Sequence, residues 1–132
     1  MSIQKMISEH PAVGYNYNEQ LGEAVKHAMY GAAILNSCAD ACLAEDMDMA
    51  NCIRRCLDAS DACTAFYRMA SRRTGFNEAA IKAIGAATII ACKQCLEECS
   101  KHDNAHCKRC SQMCREVIED VTKATQGLGR AD

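Results

Sequence analysis

The sequence contains no tryptophan, a single proline and few aromatic residues, which make up 5% of its 132 residues. Pro11 lies near the N-terminus, so no later residue breaks a helix by lacking a backbone N–H group. Glycine is also sparse, with seven residues. From about residue 18 onward the chain is rich in Ala, Leu, Glu, Lys and Met, which favour helices. The sequence therefore predicts an all-α protein.

An excess of charge of one sign is also missing. The formal net charge is -2, which leaves no basic surface for the phosphate backbone of a nucleic acid. No apolar run approaches the roughly 20 residues that cross a bilayer, and residues 1–16 lack the charged, apolar and small-residue regions of a signal peptide. We therefore expect a cytoplasmic protein with no nucleic-acid and no membrane partner.

Three polar breaks divide the helical sequence: EDMDMAN at 45–51, RTGFN at 73–77 and KHDNA at 101–105. Each offers Asn or Asp to cap the next helix, and Gly75 is placed to end the previous one. The predicted helices therefore cover about 17–46, 49–72, 77–102 and 105–125.

Short connections make sequential helices antiparallel neighbours. The fold predicted for residues 1–132 is a single domain: a short N-terminal arm or helix at 1–16, then an antiparallel up-down-up-down four-helix bundle at 17–126. The first and third loops should share one end of this bundle, which we call the mouth. Gly75 and both termini should lie at the other end.

Eleven cysteines follow the inward face of each predicted helix at helical spacing. Each lies within about 12 residues of a mouth loop, or roughly 18 Å along a helix. The far half of the same faces carries Leu, Ile, Val, Phe and Ala. The core should therefore be sulfur in one half and hydrocarbon in the other. The candidate metal ligands are Cys38, Cys42, Cys52, Cys56, Cys63, Cys92, Cys95, Cys99, Cys107, Cys110 and Cys114.

Passive packing explains one or two buried cysteines but not a switch to cysteine at one level of all four helices. In a reducing compartment such thiols favour metal binding, and thiolates select Cu(I), Zn(II) or iron–sulfur clusters. One Cu(I) per thiolate leaves the interior near neutral, whereas each Zn(Cys)4 unit keeps a charge of about -2. Charge balance therefore predicts multiple Cu(I) ions, and a storage or buffering role without catalysis.

Other cysteine chemistries fit the spacing less well. The C-x2-C-x3-C runs at 92–99 and 107–114 lack the fourth Cys and the Pro of bacterial ferredoxins, and zinc-binding C-x2-C pairs usually sit on turns. A disulfide-stapled hairpin needs an oxidising compartment, and a thiol redox enzyme needs an isolated C-x-x-C at a helix N-terminus after a strand. An iron–sulfur or zinc protein remains the alternative.

Soft or imidazole ligands also lie beside the expected mouth. Met47 and Met49 belong to the first loop, and His102 and His106 flank the third. Thioethers and imidazoles bind copper, so these four side chains are candidates for metal uptake. His10 and His27 are expected to be ordinary surface residues.

Together these segments resemble the bacterial copper storage proteins, specifically the cytosolic branch. The resemblance spans about 38–121 and rests on CADAC at 38–42, NCIRRC at 51–56, CKQCLEEC at 92–99 and KHDNAHCKRC at 101–110. It implies a four-helix bundle that binds Cu(I) along its core through the eleven cysteines and assembles as a homotetramer.

The chain departs from this family deeper in the core. Cytosolic relatives often continue the cysteine stripes where this sequence has Gly85, Thr88, Val117 and Val121. The copper capacity should therefore be smaller than in the most cysteine-rich members.

Overall fold

The computed structural model describes residues 1–72, 75 and 77–128. These residues form helices and contain no strand, which confirms the all-α prediction. Every long helix begins and ends within three residues of its predicted limits. The elements are α1 (Ile3–Ser8), a short 3-10 helix (Gly14–Asn16), α2 (Glu19–Leu43), α3 (Ala50–Ala70), α4 (Glu78–Cys99) and α5 (Ala105–Gln126).

The four long helices close into an antiparallel bundle. α2 packs against α3 and α5, and α4 packs against the same two helices, while the short α1 lies on α2. Glu45 of the first loop contacts His106 beside the third loop, so both loops lie at the mouth as predicted. The up-down-up-down arrangement is therefore confirmed.

Side-chain caps fix some of the helix ends. Asn18 Oδ1 accepts the Leu21 N–H at 3.0 Å at the start of α2, and Asp48 Oδ1 accepts the Ala50 N–H at 3.0 Å at the start of α3. Asn104 occupies the N-cap position of α5 without a side-chain capping bond, so the capping prediction is wrong there. Asn77, at the corresponding position of α4, donates its amide to the carbonyl oxygen of Met69.

The predicted break at RTGFN falls partly outside the described residues, which omit Arg73, Thr74 and Phe76. Gly75 has a φ of 87°, a left-handed conformation that favours glycine. This fits the chain reversal expected between α3 and α4, although α3 already ends at Ala70.

The core divides into two halves, as the stripes predicted. Large buried side chains in the far half include Leu21, Leu35, Phe66 and Ile81. Fully buried Thr88 is satisfied because its hydroxyl donates to the Ile84 carbonyl oxygen at 2.7 Å. Since this half consists of close-packed hydrocarbon, it stabilises the bundle without needing a metal.

One helix bears on the expectation that no segment crosses a membrane. Helix α4 is long and apolar enough to cross a membrane by length and composition, with a mean hydropathy of 1.4 in its most apolar window. In the sequence, Lys82 and Lys93 interrupt the uncharged run of this helix, which leaves it shorter than a bilayer span. A single such helix is weak support for a membrane segment, since bundle helices pass the same test, and one face of α4 lies in the core.

Candidate metal centre

All eleven cysteines lie within the described residues, and all are buried free thiols. Their relative exposure is low throughout. Cys38 is 3% exposed, Cys42 2% and Cys52 1%, whereas the other eight are 0% exposed. The cysteines therefore form a continuous buried group, here called the sulfur column, in which Cys38 is the most exposed member.

Four cysteines from three helices meet at the centre of this column. Cys56 comes from α3, Cys95 and Cys99 from α4, and Cys110 from α5. All six distances between their sulfur atoms lie between 3.5 and 3.8 Å. Four atoms with six nearly equal separations occupy the corners of a tetrahedron, and we call this group the central tetrad.

Further thiols extend the column in both directions. Cys52 Sγ lies 3.3 Å from Cys99 Sγ on the mouth side of the tetrad. On the far side, Cys114 Sγ lies within 4.8 Å of the sulfurs of Cys95 and Cys110. Cys63 and Cys92 form a pair, with their sulfurs 3.9 Å apart. Adjacent thiols are therefore close enough for metal ions to bridge them.

A second cluster, the mouth cluster, contains Cys38, Cys42, Cys107 and His106. One ligand atom from each lies within 4.8 Å of the others. His106 Nδ1 is 3.3 Å from Cys38 Sγ and 3.6 Å from Cys107 Sγ. Cys38 Sγ is also within 4.8 Å of the sulfurs of Cys56, Cys99 and Cys110, so it joins the mouth cluster to the central tetrad.

The thiols of the column do not share one pKa. The pKa values of Cys38 and Cys95 are lowered to about 6, because neighbouring thiols, above all Cys110, hydrogen bond to their sulfurs. Burial, and then the charge on Cys38, raises the pKa of Cys42 to about 11 and that of Cys107 to about 12. A few thiolates are thus stabilised by neighbours that remain protonated.

A groove reaches this column from the side, between α2 and α5. Its volume is about 290 Å³, and Cys38, His106 and Arg109 contribute to its lining. The most exposed cysteine of the column therefore lines a concave surface that is open to solvent.

The profile of the copper storage protein family matches residues 17–126, which include all four long helices and all eleven cysteines. This is most of the chain, and it covers the sulfur column from end to end. The chain belongs to the copper storage protein family. The resemblance inferred from the cysteine motifs is therefore confirmed.

Solved structures of a copper storage protein from Streptomyces lividans, Ccsp, have the same fold. The form loaded with 10 copper equivalents gives a TM-score of 0.90 at 30% identity, over 96% of this chain and 100% of that chain. A form of this cytosolic protein with five coppers gives 0.80 at 32% identity, over 84% and 96%. A histidine-to-alanine variant gives 0.81 at 32% identity, over 84% and 96%. A search of curated protein sequences found no significant match.

The four candidate uptake residues of this copper storage family member lie in different surroundings. His106 contacts the thiols. Met49 is 3% exposed and packs in the core, whereas Met47 is 52% exposed on the loop. His102 lies near Glu98, with 3.9 Å between Nε2 and a carboxylate oxygen, and that nitrogen has no hydrogen-bond partner among the described residues.

The sequence did not indicate two polar contacts that the structure contains. Glu45 Oε1 lies 2.9 Å from His106 Nε2. His27, expected to be an ordinary surface residue, instead joins α2 to α5 through a contact between its Nδ1 and Asp120 Oδ2. The i,i+4 spacing of Glu23 and His27 hinted at a polar stripe, but nothing in the sequence indicated a partner on α5.

Proposed function

We propose that this chain stores copper in the cytosol by holding multiple Cu(I) ions on the thiolates that line its bundle. The single observation that supports this most directly is the sulfur column. Eleven free, buried cysteines lie in a preformed helical scaffold, and neighbouring sulfurs are separated by less than 4 Å in many pairs. Membership of the copper storage protein family supports the same function.

The donor set supports Cu(I) as the stored oxidation state. Thiolate sulfur is a soft ligand that prefers Cu(I), and the column offers eleven such atoms. Each bound ion replaces one thiol proton, so a thiolate and its Cu(I) add no net charge to the buried interior. Divalent ions at the same density would instead leave the core with many uncompensated thiolates, because each of their sites consumes four sulfurs.

The proposed ligands divide by position in the column. The mouth cluster receives the ion, the central tetrad bridges several ions, and the deep thiols complete the store. His106 is the proposed uptake ligand, because it contacts thiol sulfurs and lines the groove. Met47, Met49 and His102 remain weaker candidates for this role. The full set of proposed storage ligands is Cys38, Cys42, Cys52, Cys56, Cys63, Cys92, Cys95, Cys99, Cys107, Cys110 and Cys114.

Storage without catalysis is favoured by the burial of the column. Eight of the eleven thiols are 0% exposed, so an organic substrate or a protein disulfide has no access to them, whereas a bare metal ion passes from sulfur to sulfur. The cytosolic location is supported by the relative from Streptomyces lividans, which is described as a cytosolic copper storage protein.

The domain organisation and the assembly are also proposals. We infer one domain, because α1 packs on α2 and Ile7 of this arm joins the hydrophobic core. Self-association, as a homotetramer, is supported by large apolar side chains on the outer surface, including Tyr30, Leu57 and Ile90. Sedimentation equilibrium of the metal-free protein tests this state, and a monomer at all concentrations would refute it.

An anaerobic titration tests the function itself. Reduced, metal-free protein is titrated with Cu(I) against a chromophoric chelator, and the ions that resist the chelator are counted per chain. Storage predicts a plateau at roughly one Cu(I) per cysteine, with little change in helical circular dichroism because the scaffold is preformed. A plateau at one or two ions would contradict storage and indicate a discrete metal site.

A further inference from the structure

His106 links the sulfur column to the surface through both nitrogen atoms of its ring. Nδ1 lies 3.3 Å from Cys38 Sγ and 3.6 Å from Cys107 Sγ. On the opposite edge of the ring, Nε2 lies 2.9 Å from Glu45 Oε1. The imidazole is therefore held between two thiols on one side and a carboxylate on the other.

The carboxylate decides which nitrogen carries the proton of the neutral ring. An ionised carboxylate only accepts hydrogen bonds, so the 2.9 Å contact places the N–H on Nε2. The lone pair of the neutral imidazole is then on Nδ1, which faces the thiols. Carboxylates that accept the second N–H of a metal-binding histidine fix its tautomer and its ring orientation in this way.

The backbone keeps Glu45 in place for this contact. Helix α2 ends at Leu43, and the Glu45 N–H donates to the carbonyl oxygen of Cys42 at 3.3 Å. This bond anchors Glu45 to the backbone of Cys42, a residue of the mouth cluster. Its side chain is partly shielded, at 29% exposure, so solvent competes less for this hydrogen bond than for one between fully exposed side chains.

The same histidine lies where solvent reaches the column. Cys38 and His106 both line the groove between α2 and α5, and Cys38 is the most exposed of the eleven cysteines. A copper ion that arrives through this groove meets Nδ1 and the Cys38 sulfur together. The orientation of His106 therefore bears on the first step of uptake.

We propose that Glu45 is a positioning residue for copper uptake, which holds His106 with its unprotonated Nδ1 directed at the thiols of Cys38 and Cys107. This inference rests on the proposed storage function, because it assigns a role in loading. Glu45 does not touch the ion and adds no storage capacity. It acts through His106 alone.

The contacts with Cys38 and Glu45 raise the pKa of His106, so the tautomer is measured first at mildly alkaline pH, where the ring is neutral, on metal-free protein labelled with 15N-histidine. Long-range 1H–15N correlation spectra should show that His106 of the wild type carries its proton on Nε2. Glu45→Ala should lose this preference and yield a mixture of tautomers, whereas Asp46→Ala should keep it. Asp46 is the matched control, since it is an exposed carboxylate on the same loop.

Uptake is measured next, by stopped-flow mixing with Cu(I) presented as its bicinchoninate complex. Glu45→Ala should load more slowly by roughly tenfold, the usual effect of removing a partner of a metal-binding histidine. Asp46→Ala should load at the wild-type rate. The Glu45→Ala/His106→Ala double variant should be no slower than His106→Ala, because the carboxylate acts through the ring.

The outcomes separate this inference from the storage function. Normal capacity in all variants, with slow loading and a disturbed tautomer in Glu45→Ala, supports the positioning role. An unchanged tautomer, an unchanged rate, or a further slowing in the double variant overturns it. A wild type with the Nε2–H tautomer that fails to hold more than two copper ions would reject storage instead.

Discussion

The sulfur atoms of Cys99 and Cys110 lie 3.5 Å apart although the residues belong to antiparallel neighbouring helices. The same two atoms contact Cys56 and Cys95, which completes the central tetrad. Cys110 also lies within 4.8 Å of Cys38 on one side and of Cys114 on the other. Cys110 and Cys99 therefore have the most sulfur neighbours among the described thiols, in contrast to Cys63, whose described sulfur contact is with Cys92.

Because Cys110 has more sulfur neighbours than Cys63, replacing these two residues should reduce the copper capacity by different amounts. Cys110→Ser should lower the Cu(I) plateau by more than one ion, because several bridged ions lose a shared sulfur at once. Cys63→Ser removes a peripheral thiol and should lower it by roughly one ion. The chelator-competed titration measures both. Equal losses in the two variants would mean that the tetrad does not bind copper as a cluster.

The geometry of the central tetrad also predicts that a divalent ion with tetrahedral coordination competes with Cu(I) for these four sulfurs. An ion with four bonds of about 2.3 Å to sulfur requires ligands about 3.8 Å apart, which matches the sulfur separations of 3.5 to 3.8 Å. We expect Co(II), as a spectroscopic substitute for Zn(II), to bind at a single tetrathiolate site and give the intense visible bands of tetrahedral cobalt. Excess Cu(I) should abolish these bands.

The matched variants locate this divalent site. Cys110→Ser removes one corner of the tetrad and should abolish the tetrathiolate spectrum, whereas Cys63→Ser should keep it. A tetrathiolate spectrum that survives in Cys110→Ser would show that cobalt binds elsewhere. The tetrahedral geometry of the central tetrad would then not determine where Co(II) binds.

Alkaline pH should destabilise the metal-free bundle. Burial raises the pKa of Cys42 to about 11 and that of Cys107 to about 12, above the ordinary thiol value of about 9. In the unfolded chain these thiols lose their protons near pH 9, whereas in the folded chain they keep them, so stability is lost as the pH rises from about 9 to 12. Thermal unfolding followed by circular dichroism should show a falling midpoint.

The copper-loaded protein is the control for this pH effect. Its thiolates hold metal in place of protons, so its unfolding midpoint should change far less over the same range. Lysine and tyrosine titrate in both forms and cancel in the comparison. A metal-free midpoint that stays constant up to pH 12 would contradict the raised pKa values.

The fold was predictable because the residues of each inward helix face recur at a regular spacing in the sequence. Cysteines and apolar residues recur at helical spacing, and short polar breaks leave little choice of topology. The close approach of α2 to α5 was not predictable. An added Cβ at Gly31 would lie 3.0 Å from Val117 Cγ2, a fit that depends on the rotation of both helices.

The contacts at the mouth were harder to predict, because they depend on where helices end. The sequence favoured a first helix that continues to residue 46, which would have placed Glu45 on a helix surface. The helix instead ends at Leu43, so Glu45 lies in the loop and reaches His106, 61 residues away. Met49, which the sequence placed in the same polar loop, turns inward and is buried in the core.

The central claim is that copper lies inside the bundle on the sulfur column. Anomalous diffraction at the copper edge, from crystals of the Cu(I)-loaded protein, locates the ions directly. We predict a row of anomalous peaks between the four long helices, each beside the cysteine sulfurs of the mouth cluster, the central tetrad or the deep pair. Peaks confined to the outer surface, for example beside His27 and Asp120, with an empty core would contradict the account.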